Sequence, residues 1–169
     1  MSRIVNEADP VEEKIQINRR QIEHRATWMG FIYDEMVKAN VADAEGILRR
    51  AIFRCGHIHG AEFAARCSNP DNCEALAKVF LGTEGVSVGP CTFNMSNIFS
   101  DKDNIRNDVG YCALLAAWQK LGFDDDQCAL LCDIAMEGDR GIADAMGLSL
   151  DLEKSLARGD EKCSLHFLK

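Results

Sequence analysis

The sequence predicts an α+β protein, with long N-terminal helices packed on a small antiparallel sheet and further helices inserted between its strands. Three observations carry that expectation. Ile15, Ile22, Met29 and Met36 recur every seven residues, with Ala26 and Tyr33 on the same face, as on an amphipathic helix. Near residue 84 the apolar spacing changes from helical to alternating. Beyond Tyr111 it returns to helical spacing, and Leu148, Leu150, Leu152 and then Cys163, Leu165, Phe167 alternate again. A chain of 169 residues is long enough to bury a real core, and neither half is comfortably large alone. The expectation is therefore a flexible arm at 1–10 and a single α+β domain at 11–169, its helical half at about 11–84 and its mixed half at about 85–169.

Pro10 sits where a helix begins, and the first helix is expected over about 11–40. A second opens near Asp43 and runs to about Arg66, with Leu48, Ile52, Cys55, His59 and Phe63 as its apolar stripe. Gly56 and Gly60, four apart, would let another backbone come close. Ser68-Asn69-Pro70-Asp71 reads as a turn, followed by a short helix through Cys73, Leu76 and Phe80. Val86, Val88, Thr92, Phe93, Met95 and Ile98 suit strands, Ser100–Asp103 a hairpin turn, and 105–109 the returning strand. A helix is expected over 113–121, ended by Gly122, and Asp124-Asp125-Asp126 caps the next. The helical pattern over 134–146 continues it. Gly159-Asp160 turns into the last strand.

The formal net charge of −8 excludes a phosphate-binding surface of clustered Lys and Arg, so no nucleic-acid partner is expected. No run approaches ~18 apolar residues, so no membrane span is expected. The polar start MSRIVNEADPVEEK lacks the apolar core of a signal peptide, which places the chain in the cytoplasm with its eight cysteines as free thiols. The heptad-spaced stripe of the first helix suits a homodimer contact as well as an internal one.

Chemistry is suggested mainly between Tyr111 and Phe167, in the segments YCALLAAWQKLG, CALLCDIAMEGD and GDEKCSLHF. Cys112 stands at a strand–helix junction, where the positive end of the helix dipole would favour thiolate. A small buried residue fits the same junction. Cys128 and Cys132 share a helix face, but a bare C-x3-C is weak metal evidence without a second pair. Cys112 or Cys163 with His166 would complete a zinc set, though nothing in the spacing demands it, and no cofactor is expected. Asp139 either projects toward the cysteines as a proton relay or belongs to a solvated acidic face with Glu137 and Asp144. His57 and His59 point about 200° apart on a helix and cannot chelate together, whereas Cys55 and His59 share a face, as a packed cysteine and a hydrogen-bonded core histidine or as the lining of a pocket.

Together, RRAIFRCGHIHGAEFA, YC before a helix, LC in the next helix and GDEKC before a final strand resemble the L-2-amino-thiazoline-4-carboxylic acid hydrolase family, over roughly residues 45–168. Ala113 stands where that family commonly has proline. The resemblance implies a hydrolase that opens a 2-aminothiazoline-4-carboxylate to a carbamoyl-cysteine-type product. It carries over Cys112, Cys132 and Cys163 as positions matching the family's cysteines. A mechanism consistent with the residue types has Cys112 attack as thiolate, Asp139 relay the proton, and Arg140, Arg158 or His59 contact the small-molecule substrate. The competing reading is a non-catalytic small-molecule or thiol/metal sensor on the same fold.

Overall fold

Residues 3–8, 10–82 and 88–169 are described in the computed structural model of the chain, and Val86 of the expected strand lies outside them. The elements run α1 (Glu13–Lys38), α2 (Ala44–Arg66), α3 (Cys73–Phe80), α4 (Gly89–Thr92), β1 (Met95–Ser100), β2 (Asn104–Val109), α5 (Ala113–Lys120), α6 (Asp125–Ala135), α7 (Glu137–Ala145), β3 (Ser149–Lys154), a 3-10 turn (Leu156–Arg158) and β4 (Cys163–Leu168). The strands form one antiparallel sheet in the order β1-β2-β4-β3, so the last strand is inserted between β2 and β3. This is the expected α+β architecture.

The hairpin turn is held by Asp101, whose Oδ1 accepts from the amides of Asp103 and Asn104, each at 2.8 Å. Across β2 and β4, Ile105 faces Phe167, Asn107 faces Leu165 and Val109 faces Cys163. Because side chains alternate along a strand, these six residues share the inner face of the sheet. Arg106, Asp108, Ser164 and His166 share the outer one. There Asp108 accepts from Asn97 at 2.7 Å and Ser164 at 2.8 Å and pairs with Lys162.

The stripe on α1 is used inside the chain. Ile15, Ile22, Ala26 and Met29 are buried, and the Trp118 indole of α5 donates to the Ala26 carbonyl at 3.0 Å. Gly30 lets the two helices meet, since a Cβ there would lie 2.9 Å from the Phe123 ring and 3.2 Å from Trp118. Arg19, buried on the same helix, donates to Thr92 O at 2.9 Å, Cys91 O at 3.1 Å and Asn94 Oδ1 at 2.8 Å, and stacks over Tyr111 at 4.3 Å. Those bonds tie α1 to the segment before β1. That segment is the first departure from expectation. Residues Val88 to Thr92 form a helical turn, not a strand, because Pro90 starts it and Thr92 Oγ1 bonds back to Val88 O at 2.6 Å.

The second departure concerns α2. Its buried positions are Ala44, Leu48, Gly56 and Gly60, while Cys55 and His59 are exposed. The expected pocket face at Cys55 and His59 is therefore a solvent face. The reason is the close approach that the two glycines allow. A Cβ on Gly56 would stand 1.9 Å from Gly138 O, and one on Gly60 would stand 2.5 Å from Ile142 O. From the other side, a Cβ on Gly141 would stand 2.2 Å from Phe53 O. Helices α2 and α7 thus lie backbone to backbone. The helical run expected over 134–146 is interrupted at Met136, after which α7 follows α2. Asp124 caps α6 through a reciprocal capping box with Gln127, as its sequence suggested.

Residues Arg3 to Asn6, within the expected arm, carry specific contacts. Ile4 is buried, the Arg3 amide donates to Asp125 at 2.8 Å, and its guanidinium pairs with Asp126 at 3.0 Å. Asn6 Nδ2 donates to Cys112 O and its Oδ1 accepts from Cys112 N, both at 2.9 Å.

Candidate functional site

Cys112 is the residue immediately before α5, positioned by the end of β2 and by the Asn6 pair. Cys163 begins β4 directly opposite Val109, so the chain passes from β2 to Cys112 within three residues of that contact. Cys132, on α6, lies next to the residue preceding the 3-10 turn. Its Sγ is 3.7 Å from Ser155 Oγ. The Cys163 thiol accepts from the Leu156 amide at 3.3 Å, and the Ser155 hydroxyl beside it opposes the rise of its pKa. Ser155 therefore neighbours two sulfurs. Asp139, on the first turn of α7, is within electrostatic reach of both Cys112 and Cys163. The three cysteines and the carboxylate singled out from sequence thus converge. Cys163 and Ser155 are buried, whereas Cys112, Cys132 and Asp139 keep partial exposure.

The electrostatics differ from those expected of a helix N-terminus. Burial pushes the Cys112 thiol up to about 11, against the pull of the Leu115 and Leu114 amides and with a further push from Cys163 and Asp139. Burial likewise raises Cys132, reinforced by Cys112 and Cys163, and raises Cys163, reinforced by Asp139 and Asp160. At neutral pH the three are thiols. The dipole acts on Cys112, but desolvation outweighs it. Asp139 is pushed up to about 6, mainly by burial, with Arg140 and Arg25 pulling it back. It is the one group of the cluster that titrates near neutrality.

The expected substrate contacts are placed differently. Arg140 is engaged with Glu137 at 2.8 Å and Asp133 at 3.1 Å, carboxylates that it shares with Arg49 at 3.2 and 2.6 Å. Its fork is occupied by structural partners. Arg158 is exposed at the end of the 3-10 turn, and His59 is exposed on α2. Arg25 has neither a hydrogen bond nor an ion pair among the described residues and still lowers the Asp139 pKa. Sequence reasoning missed Arg25 and Ser155. Arg25 sits about 40° from Met29 around α1, a cation bordering the buried stripe, and that was a readable signal. Ser155 lies between β3 and the 3-10 turn and left no signal.

The remaining cysteines have packing or surface environments. Cys67, Cys73 and Cys128 are buried, Cys55 and Cys91 are exposed, and all eight are free. His166 points to the outer face with its Nε2 2.9 Å from Asn104 Oδ1, so the sheet separates it from Cys163. Among the described residues, no group of three or more His, Cys, Asp or Glu is arranged to hold a metal ion. Nor is any of their helices long and apolar enough to cross a membrane.

No curated protein and no solved structure matches the chain. The family model described as L-2-amino-thiazoline-4-carboxylic acid hydrolase matches residues 19–167, which spans the convergent thiols, Asp139 and most of α1. The chain belongs to the L-2-amino-thiazoline-4-carboxylic acid hydrolase family.

Proposed function

We propose that this protein hydrolyses a small cyclic amidine of the 2-aminothiazoline-4-carboxylate class at the Cys112, Cys132, Cys163 and Asp139 cluster, giving a carbamoyl-cysteine-type product. Family membership supports the reaction class, and the observation that carries the site is the mutual electrostatic proximity of these four residues, with Ser155 beside Cys132 and Cys163. The ring carbon bonded to sulfur and two nitrogens is electrophilic. Cys112 attacks it as its proton passes to Asp139, so a neutral resting thiol becomes a thiolate only as the Sγ–C bond forms. That proton then goes to the departing ring heteroatom, and the ring opens. Water next attacks the same carbon with Asp139 as base, its oxygen stays on the product, and the Cys112 thiol is restored. Arg25, the unpaired cation beside Asp139, holds the substrate carboxylate.

The raised thiols support a second reading in which Asp139 activates water directly. Turnover of Cys112→Ser with 2-aminothiazoline-4-carboxylate separates the two. The covalent route predicts a loss of about 10³-fold or more, because an alcohol is a far weaker nucleophile than a thiol at this carbon. Retention of most of the wild-type rate would leave water as the attacker.

We also propose that the protein pairs through the other side of α1. The heptad stripe faces inward, but Ile17, Trp28, Phe31 and Ile32 are exposed and fall within about 100° around the helix. Light scattering should find a dimer that Trp28→Glu converts to monomer. A monomeric wild type would rule the contact out.

A further inference from the structure

Asn107 Oδ1 is buried without a hydrogen-bond partner, in a residue that is 3% exposed. An unpaired buried acceptor costs about 1–3 kcal/mol, and most buried side-chain polar atoms have partners. Its neighbours explain why it has none. On the inner face of the sheet Asn107 lies between Ile105 and Val109 and directly opposite Leu165. The polar residues beside it in sequence, Arg106 and Asp108, project to the outer face, where Asp108 has its own donors. No donor of the strand pair can reach the orphan oxygen.

The same register makes Asn107 the diagonal inner-face neighbour of Cys163, a separation of about 7–8 Å between Cα atoms. The two side chains rise from the same face of the sheet, so a ring seated against Cys163 would lie beside Asn107. We propose that Asn107 is a positioning residue whose side-chain carbonyl accepts an N–H from the exocyclic 2-amino group of the substrate ring. The proposal rests on the assignment of a 2-aminothiazoline-4-carboxylate to this site. The amino group donates whether or not the ring is protonated, so an acceptor that cannot ionise suits it across the pH range in which Asp139 titrates. The bond orients the ring carbon toward the cluster and discriminates against rings that lack the amino group. A site built around a hydrogen bond rejects such analogues because its own polar group would be left unpaired.

The test compares the KM for 2-aminothiazoline-4-carboxylate with the Ki of the same ring bearing hydrogen at position 2. Wild type should favour the amino compound by about tenfold or more. In Asn107→Leu the gap should shrink to within about threefold through a higher KM, with the Ki of the analogue and the melting temperature unchanged or improved. Equal weakening of both ligands would show a packing role and overturn the proposal, as would an unchanged KM. Should Asn107→Leu not fold, a wild-type preference below about threefold overturns it without any variant. Failure here leaves wild-type turnover intact. Failure of the underlying function would show instead as wild type neither turning over nor binding the amino compound, which removes both.

Discussion

Asp139→Asn is expected to be almost inactive and yet more stable than the wild type at pH 8. Burial raises the folded-state pKa of Asp139 from 3.8 to about 6, so the folded protein holds this proton longer than the unfolded chain does. The resulting stabilisation is fully present below pH 4 and is lost as pH rises through about 6. Above that, the ionised carboxylate costs up to about 3 kcal/mol, from roughly two pKa units at 1.36 kcal/mol each. Asparagine keeps the shape without the charge. Urea midpoints of variant and wild type should therefore coincide near pH 4 and diverge to a plateau above pH 7. Wild-type kcat/KM should rise through about pH 6 and flatten, and the variant should lose about 10²–10⁴-fold at the plateau. A variant with wild-type turnover would remove Asp139 from the chemistry, whatever its stability.

Gly56→Ala should be the most damaging single methyl group that can be added to the helical half. Its Cβ would sit 1.9 Å from the Gly138 carbonyl oxygen, and backbone cannot rotate away as a side chain can. Separating α2 from α7 should cost about 3 kcal/mol or more, above the usual range for an overpacked core. Because α7 carries Asp139, turnover should fall with stability. Gly138→Ala provides the contrast on the facing helix. There the nearest atom to the new Cβ is Ile52 Cγ2 at 3.6 Å, an ordinary contact, and alanine favours helix by about 1 kcal/mol. Thermal melts should rank the proteins Gly138→Ala at or above wild type, and Gly56→Ala far below. Equal effects would mean that α2 and α7 are not in backbone contact.

This asymmetry also shows where sequence legibility stopped. The seven-residue stripe of α1 was readable because large apolar side chains bury it. The close approach at Gly56 and Gly60 was readable from their spacing, but that it sets the buried face of α2 was not, because hydropathy patterns do not register the absence of a side chain. Cys55 and His59 were consequently assigned inward and lie outward. The strand expected through Thr92 failed because Gly89-Pro90 starts a turn and Arg19, some seventy residues earlier, takes up its carbonyls. At the site, Cys112, Cys132, Cys163 and Asp139 were candidates from spacing and resemblance, but whether they meet depends on the whole fold and was not readable. Neither was the sign of the Cys112 shift, because dipole position is a local property and desolvation depends on the whole fold. Arg140 looked available in sequence and is saturated by Asp133 and Glu137, one of them on the preceding helix. Asn107 was unreadable, since its interest lies in a partner that it lacks.

The paired bonds between Asn6 and Cys112 give the amino end a role out of proportion to its length. A side-chain amide offers one donor and one acceptor in a plane, as a peptide group does, so Asn6 presents Cys112 with what a neighbouring strand would have offered. Among the described residues the Cys112 amide has no other partner, and the following helix begins at the next residue. Removing residues 1–6 would therefore leave the Cys112 amide without its partner, while the Cys112 carbonyl would keep the bond it accepts from the Ala116 amide at 3.0 Å. Ragged amino termini in a preparation become a mixture of differently supported sites, and measured specific activity then reports processing history as much as chemistry.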